Sequence, residues 1–308
     1  MKSANRKDPQ LRQGGALRLK TRQSMKAYLW IAPAILLTCV FTYYAFFRSV
    51  FQSFFLVNAK GQNGSFAGLR NYIRIFSDLE FRAAIVTTLR FAVITVPVSL
   101  ALALALALLA GKKRKLSPIY ESMFTLPMAM STSVVVMIFQ FMLNPSLGVI
   151  NRWFGLNISW FYDTKYLLPT LIVMQVWMNL GFDFIYYLSA IRSVPADLLE
   201  SAEMDGASQW MRIRKIVLPM ISPTTFFLLC TETAKSMMIS APLIIIQTAL
   251  GNSTTSSELK TVIYYMYNSA FQRNNYSYAY AAAAVGFILT FLVMALSFRF
   301  EKKGVYYA

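Results

Sequence analysis

Six long apolar stretches constrain this 308-residue chain more than any other feature of its sequence. A helix needs about 20 apolar residues to cross a hydrocarbon core of roughly 30 Å. The stretches that meet this requirement cover 28–47, 86–110, 119–143, 166–190, 221–247 and 278–298. Only helices and closed barrels satisfy their backbone groups within lipid. The pattern therefore predicts an all-α integral membrane protein with six transmembrane helices, including the almost alternating Leu and Ala run at 100–110.

The basic residues between these stretches indicate how the chain is oriented. With the N-terminus inside, the inner segments hold 19 of the 30 Lys and Arg residues and the outer loops hold 8. Because basic residues favour the cytoplasmic side, both termini are predicted to be cytoplasmic. We expect a basic cytoplasmic tail over 1–27, followed by a transmembrane domain over 28–303.

Composition excludes several functional classes. The chain has no histidine, and its two cysteines, Cys39 and Cys230, lie in apolar runs. Histidine-based triads, zinc hydrolases, disulfide frameworks and four-cysteine metal sites are therefore excluded. Since the sequence has no phosphate-binding glycine motif, we expect no ATP hydrolysis by this chain and no bound cofactor or metal. The net charge of +17 is spread among the loops, so nucleic-acid binding is not expected either.

The loop at 193–219 differs from the other loops because it carries the pattern of two short helices. Pro195 and Asp197 are typical of a helix start, and Gly206 can adopt the left-handed conformation that ends a helix. An amphipathic segment with Trp210 and three basic residues follows. We expect a helix–turn–helix on the cytoplasmic face, which is either a structured linker or a surface for a partner.

The spacing within this loop resembles the EAA loop of binding-protein-dependent ABC importer permeases. That pattern is Glu-Ala-Ala, three residues, Gly, nine residues and Ile-x-Leu-Pro. This sequence departs from it at one position, where Ser replaces Ala. The corresponding residues, of which Ser201 is the departure, are Glu200, Ser201, Ala202, Asp205, Gly206, Ala207, Ile216, Leu218 and Pro219.

The resemblance covers about 26–302 and is strongest to the first permease subunit of maltose-type and glycerol-phosphate-type importers, in the carbohydrate uptake family. Phe66 to Tyr72 resembles the F-x-G-L-x-N-Y pattern of sugar-type permeases, and Leu126-Pro127 resembles a further landmark. The resemblance implies a non-catalytic permease in the bacterial cytoplasmic membrane. It also implies that the nine loop residues couple the permease to ATPase subunits.

Four kinds of partner follow from this resemblance. They are a second homologous permease, two ATPase subunits that use ATP and Mg, an extracytoplasmic substrate-binding protein, and membrane lipid. Alternating access would exchange inward-facing and outward-facing states while the ATPase subunits bind and hydrolyse ATP.

Ionisable residues inside the spans are candidates for the substrate pathway, because charges in lipid are costly. Asp183 lies in the fourth span, one turn from Asn179 and close to Trp177. This polar stripe predicts either a pathway lining or an interhelical hydrogen bond with the fifth span. Glu121, in the first turn of the third span, is expected to be structural.

The fifth span carries an acidic–basic pair near its middle. Glu232 and Lys235 are three residues apart, and we expect them to share a helix face with Ser236 and Ser240. The pair is interpreted either as a self-neutralising internal ion pair or as part of a wet face that contacts substrate. The second interpretation suits a sugar, and Lys235 also suits an anionic sugar or phosphate ester.

The predicted function is therefore that of a permease subunit of an ATP-driven importer for a sugar or oligosaccharide. A glycerol-phosphate or other anionic-solute permease is an alternative. A secondary carrier is another alternative. One class of six-span carriers repeats the motif P-x-[DE]-x-x-[KR] three times, but here only 195–200 approaches this motif, and it ends in an acidic instead of a basic residue. A receptor or scaffold does not need the helix–turn–helix spacing.

Overall fold

The computed structural model describes residues 28–112, 114–250 and 259–304. The fold is helical as predicted, whereas the predicted tail at 1–27 lies outside the described residues. We number the helices Tyr28–Gln52 (α1), Arg70–Ser77 (α2), Leu79–Ala110 (α3), Ser117–Thr125 (α4), Thr132–Met142 (α5), Val149–Phe154 (α6), Thr164–Arg192 (α7), Ala196–Met204 (α8), Gln209–Arg212 (α9), Ser222–Met237 (α10), Ala241–Leu250 (α11), Val262–Tyr267 (α12) and Tyr276–Gly304 (α13).

Five runs of the described chain are long and apolar enough to cross a membrane. They are α1, α3, α7, α13 and the run Ser222–Ala249, which includes α10 and most of α11. The chain divides into two compact units after Gln52. Within the first unit, the structure describes α1, which contains a π-helical turn at Cys39–Tyr44.

The third predicted span, 119–143, is bent and not a single straight helix. The segment Ser117–Ala129 and the helix α5 meet at an angle of 104°. Met130 and Ser131 have extended backbone angles at the break, and the Ser131 hydroxyl accepts the N–H of Val134 to cap α5. A serine at this position stabilises a new helix start, so the chain changes direction there.

The two halves of the bent segment pack on different halves of α7. Phe124 of α4 contacts Phe184, with ring centroids 5.2 Å apart, whereas Phe139 of α5 contacts Trp177 at 6.0 Å. Counted as one broken span, this segment brings the number of candidate spans in the described chain to six. Gly181 permits this approach, because a Cβ there would lie 3.0 Å from the Thr125 carbonyl oxygen.

A short β-hairpin, absent from the all-helical prediction, precedes α2. Strand β1 (Phe55–Val57) pairs antiparallel with β2 (Asn63–Phe66). The amide of Asn71 donates to the carbonyl oxygens of Ser53 and Phe55, each at 2.9 Å. Asn71 is fully buried. This side chain explains why an asparagine occupies that position of the F-x-G-L-x-N-Y pattern.

Helices α3 and α7 pack along most of their length and form the centre of the second unit. The Leu and Ala run is helical, and Ala103, Ala107 and Ala110 all lie on its buried face. Small side chains at this spacing let two helices approach closely.

Both ends of the loop at 193–219 are anchored in the same apolar cluster. Val194 at its start and Val217 near its end are buried, and they pack in a cluster that includes Ala107 and Leu188. The first buried residue beyond the loop, Ile221, belongs to this cluster as well. Burial at both ends holds the loop to α3 and α7.

At the opposite end of the bundle, polar side chains join α12 to the start of α3. Tyr265 donates to the carboxylate of Asp78 at 2.6 Å, and Glu80 binds both Lys260 at 2.9 Å and Arg273 at 2.8 Å. Burial, together with the hydrogen bond to Asp78, raises the pKa of Tyr265 well above its usual value. The hydroxyl therefore remains a donor at physiological pH.

Candidate functional site

The loop contains two helices joined by a tight corner, as its sequence predicts. Helix α8 starts after Pro195 and carries Asp197 in its first turn. Gly206 has a φ of +78°, its N–H donates to the Glu203 carbonyl at 3.0 Å, and the N–H of Ala207 donates to the Ala202 carbonyl at 2.9 Å. These two bonds form a Schellman motif, whose left-handed residue is normally glycine.

A second set of contacts fixes the angle between the two loop helices. The Ser208 hydroxyl accepts the N–H of Met211 at the start of α9. Arg212 forms an ion pair with Glu203 across the corner. Two backbone bonds close the corner, the ion pair crosses it, and the Ser208 cap starts α9 directly after it, so α8 and α9 form one compact element.

Several large apolar side chains of the loop are exposed. Leu198, Met204, Trp210 and Met211 are between 45% and 88% exposed. Glu200, Asp205 and Gly206 are exposed among them, whereas Ala202 and Ala207 are partly covered. The Ser201 hydroxyl donates to the Asp197 carbonyl at 2.7 Å, within its own helix. Several large apolar side chains exposed on one short loop are typical of a protein–protein contact.

The end of the loop continues almost directly into the fifth span. A π-helical turn at Ile213–Val217 contains Ile216, and the segment Leu218–Met220 contains Pro219 in its first turn. Ile216 and Leu218 pack against the apolar cluster that anchors the loop. Helical structure therefore runs from α9 to α10 with a single turn residue, Ile221, between them.

The structure brings Asp183, Glu232 and Lys235 together between α7 and α10. Nζ of Lys235 lies 2.8 Å from Oε1 of Glu232, and Asp183 interacts electrostatically with both residues. Asp183 and Glu232 are fully buried. Among the described residues, neither carboxylate oxygen of Asp183 has a hydrogen-bond partner. The cluster contains two carboxyl groups and one ammonium group.

The other predicted pathway residues lie in different surroundings. Asn179 is buried and donates to the Ser99 hydroxyl of α3 at 3.5 Å, so it faces α3 and not the fifth span. Trp177 packs on Phe139 of the broken span. Ser236 is buried beside Glu232, but α10 ends at Met237. Ser240 therefore does not continue the helix face that the sequence predicted.

An aromatic row next to Lys235 was missed by the sequence analysis. The Lys235 ammonium lies 4.2 Å from the ring centroid of Phe182, which contacts Tyr186 at 4.6 Å. Tyr186 in turn contacts Phe227 of α10 at 5.3 Å. Tyr186, Phe227 and the Lys235 side chain are between 40% and 46% exposed. The i, i+4 spacing of Phe182 and Tyr186 could have indicated in advance that these rings share one face of α7.

A second missed feature is an ion pair at the start of the loop. Arg192, the last residue of α7, binds Glu121 of α4 at 2.5 Å. The two residues are 71 positions apart, and each side chain is 24% exposed. A residue pair so distant in the chain has no signal in sequence spacing.

Comparison with known proteins adds the family. Residues 103–303 match the family model described as "Binding-protein-dependent transport system inner membrane component". The sn-glycerol-3-phosphate transport system permease protein UgpA of Agrobacterium fabrum is 30% identical over 283 residues, which are 91% of this chain and 96% of that protein. UgpA of Pectobacterium atrosepticum is 28% identical over 291 residues, covering 93% and 97% of the two chains.

Solved structures give the same fold. A chain of a bacterial ABC transporter involved in the import of the acidic polysaccharide alginate superposes with a TM-score of 0.80 at 24% identity, covering 94% of this chain and 99% of that one. A chain from the alginate transporter in complex with a periplasmic protein bound to an alginate pentasaccharide also gives 0.80, at 25% identity and 93% and 98% coverage.

Proposed function

The chain belongs to the family of binding-protein-dependent transport system inner membrane components, and on that premise we propose how its parts share the work of transport. It is a permease subunit of an ABC importer in the inner membrane. We propose that the loop at 193–219 receives the movement of a separate ATPase subunit. We also propose that the face around Lys235 lines the pathway of the transported solute.

The observation that carries the coupling role is the rigid, doubly anchored loop. Its corner at Gly206 is closed by two backbone bonds, and Val194 and Val217 fix its ends in the core. Its outer surface exposes Met204 and Trp210, which favour burial against a protein partner. An element with these properties moves as one body when a partner pushes it.

The partner that pushes is proposed to be an ATPase subunit, of which a complete importer has two. This subunit binds ATP and Mg, and it supplies the hydrolysis that this chain's sequence does not support. A second, homologous permease completes the pathway, and an extracytoplasmic binding protein delivers the solute. The periplasmic protein in the alginate transporter complex supports the last of these partners.

The pathway role is supported by the exposure of a charge at membrane depth. The Lys235 side chain is 43% exposed, and it belongs to a candidate membrane span, Ser222–Ala249. A half-exposed ammonium group is costly in lipid, so this face is better suited to water, substrate or a second permease. Tyr186 and Phe227 beside it offer aromatic faces on which a sugar ring can pack.

We propose a sugar or oligosaccharide as the solute, and an anionic group on it is favoured by Lys235. The relatives are named for sn-glycerol-3-phosphate and the structural neighbours for alginate, which are both anionic. An ammonium group binds phosphate or carboxylate through charge-assisted hydrogen bonds.

Copurification tests the coupling role. The chain is expressed with the proteins encoded beside it, and the amount of ATPase subunit retained per permease is measured. Met204→Glu places a charge on the apolar surface of the loop, and we expect it to release the ATPase subunit. Trp153→Glu is the matched control, because Trp153 is 79% exposed but lies in α6, away from the loop.

The proposal is wrong if Met204→Glu and Trp153→Glu retain the ATPase subunit equally and also support equal ATP-dependent uptake. Uptake by the lone chain in vesicles, driven by an ion gradient and without ATP, would instead identify a secondary carrier.

A further inference from the structure

The guanidinium group of Arg192 joins three helix ends at the point where the loop begins. It donates to both carboxylate oxygens of Glu121, at 2.5 and 3.3 Å. It also donates to the backbone carbonyls of Ala110 at 3.2 Å and Gly111 at 3.4 Å. The C-terminal ends of α3 and α7 and the start of α4 therefore share one side chain.

These contacts require an arginine in particular. The carbonyls at the end of α3 have no partner within their own helix, and the helix dipole makes that end attractive to a cation. The planar guanidinium group carries five donors, so it can bind a carboxylate on one edge and carbonyls on another. The compact ammonium group of a lysine at 192 would not reach the carboxylate and the carbonyls at the same time.

The surroundings of Arg192 link it to the loop. Ile191 lies so close to the end of α3 that a Cβ on Gly111 would be 3.3 Å from its Cγ2 atom. Leu199 of α8 and Ile213 line a cavity of about 200 Å³ together with Gly111. The loop thus lies against the same helix end that Arg192 holds.

We propose that Arg192 is a positioning residue that fastens α3 and α4 to the loop, so that movement of the loop reaches the second and third spans. The proposal rests on the proposed coupling role of the loop. Without the guanidinium contacts, α8 and α9 would still bind the ATPase subunit. Their movement would then open a local gap at Ala110 and Glu121 instead of moving α3 and α4.

The test measures uptake and ATP hydrolysis together in proteoliposomes with the complete importer. For Arg192→Ala we expect ATP hydrolysis close to that of the wild type and about a tenfold lower uptake per ATP, as expected when several charge-assisted bonds are lost. Arg192→Lys should lose less, about threefold, because it keeps the charge. Arg299→Ala is the control, since Arg299 is an exposed cation at the same end of the bundle.

A charge swap separates the proposal from a simple ion pair. The double variant Glu121→Arg, Arg192→Glu retains opposite charges but cannot donate from position 192 to the carbonyls of Ala110 and Gly111. We expect it to remain uncoupled, like Arg192→Ala. Full recovery of uptake per ATP would overturn the role of the carbonyl contacts.

A distance measurement keeps the proposal testable if a variant folds poorly. Spin labels are attached at Leu109→Cys in α3 and Ala196→Cys in α8, in a chain without Cys39 and Cys230. If the two helices move together, the distance between the labels should be the same with and without ATP when Arg192 is present. In Arg192→Lys, a second label-to-label distance should appear when ATP binds. A change of separation in the otherwise wild-type importer overturns the proposal.

The outcomes distinguish the two proposals. If Arg192→Ala couples as well as the wild type, only the role of Arg192 is wrong. If the wild-type importer shows no ATP-dependent uptake at all, the proposed function fails and the role of Arg192 fails with it.

Discussion

Nζ of Lys235 lies 2.8 Å from Oε1 of Glu232, yet the lysine side chain is 43% exposed while the glutamate is fully buried. The carboxylate of the pair is therefore buried, whereas its ammonium group is accessible. Glu232 holds the ammonium group by an ion pair, and that group lies over the ring of Phe182, 4.2 Å from its centroid. Because of this asymmetry, the ammonium group stays accessible although its partner carboxylate lies inside the subunit.

Replacing Lys235 should weaken the transport of an anionic solute. For Lys235→Gln we expect KM for uptake to rise at least about tenfold, which corresponds to the loss of one hydrogen bond to a charged group. Lys235→Arg retains the cation and should stay within about threefold of the wild type.

Uptake of a neutral sugar provides the comparison for this prediction. If the importer accepts one, Lys235→Gln should leave its KM unchanged. An equal loss for charged and neutral solutes would show that Lys235 acts through packing or folding and not through the charge of the solute.

Asp183 and Glu232 should differ in their effects on stability. Asp183 is fully buried, its oxygens have no hydrogen-bond partner among the described residues, and Glu232 is a neighbouring carboxyl group. Asp183→Asn removes a carboxyl group whose ionised form is disfavoured by burial, so its unfolding temperature in detergent should equal or exceed that of the wild type. Glu232→Gln replaces the charge-assisted hydrogen bond to Lys235 with a weaker neutral one and should lower the free energy of unfolding by about 1–3 kcal/mol.

The order of these two variants decides the interpretation. A larger loss of stability for Asp183→Asn than for Glu232→Gln would mean that the Asp183 carboxylate makes a stabilising contact within the assembled importer.

Asn71 should be important for the hairpin rather than for transport itself. Its amide makes two hydrogen bonds at 2.9 Å to the carbonyls of Ser53 and Phe55. Asn71→Asp removes the two hydrogen bonds that the buried amide donates, which should lower the free energy of unfolding by about 1–3 kcal/mol.

Tyr72→Phe is the matched control for Asn71, because it removes only the contact between the Tyr72 and Ser53 hydroxyls. We expect it to cost less than Asn71→Asp in thermal unfolding. Equal effects would contradict the role assigned to the Asn71 amide.

Local features of the fold could be predicted from the sequence where one short segment determines them. The Leu and Ala run is helical because lipid allows no unpaired strand, and Gly206 ends α8 because its left-handed conformation suits glycine. The loop spacing also indicated the family that the comparisons confirm. In each case, the physical cause lies within about one loop or one helix.

Features that depend on distant partners could not be predicted. The bend of the third span depends on Gly181 of α7 as well as on the cap at Ser131. The sequence left Asn179 either as a pathway lining or as a hydrogen bond to the fifth span, whereas its observed partner Ser99 lies 80 positions away in α3. The contact between Arg192 and Glu121 could not be predicted either, because the packing of α4 against α7 determines which side chains meet.

The corner at Gly206 gives the most direct test of the coupling role. Gly206 and Gly155 both have positive φ, +78° and +61°, and at each a new Cβ would have no neighbour within 4 Å. Valine at either position therefore causes the same kind of backbone strain, about 1–2 kcal/mol. The two variants differ in place, since Gly155 follows α6 and Gly206 lies in the loop.

The measurement is ATP-dependent uptake by Gly206→Val and Gly155→Val at matched levels of inserted permease. We predict that Gly206→Val inserts normally but loses uptake by at least about tenfold, because the corner no longer holds α8 and α9 at their angle. Gly155→Val should transport like the wild type. Normal uptake by Gly206→Val would contradict the claim that this loop carries the movement of the ATPase subunit into the membrane.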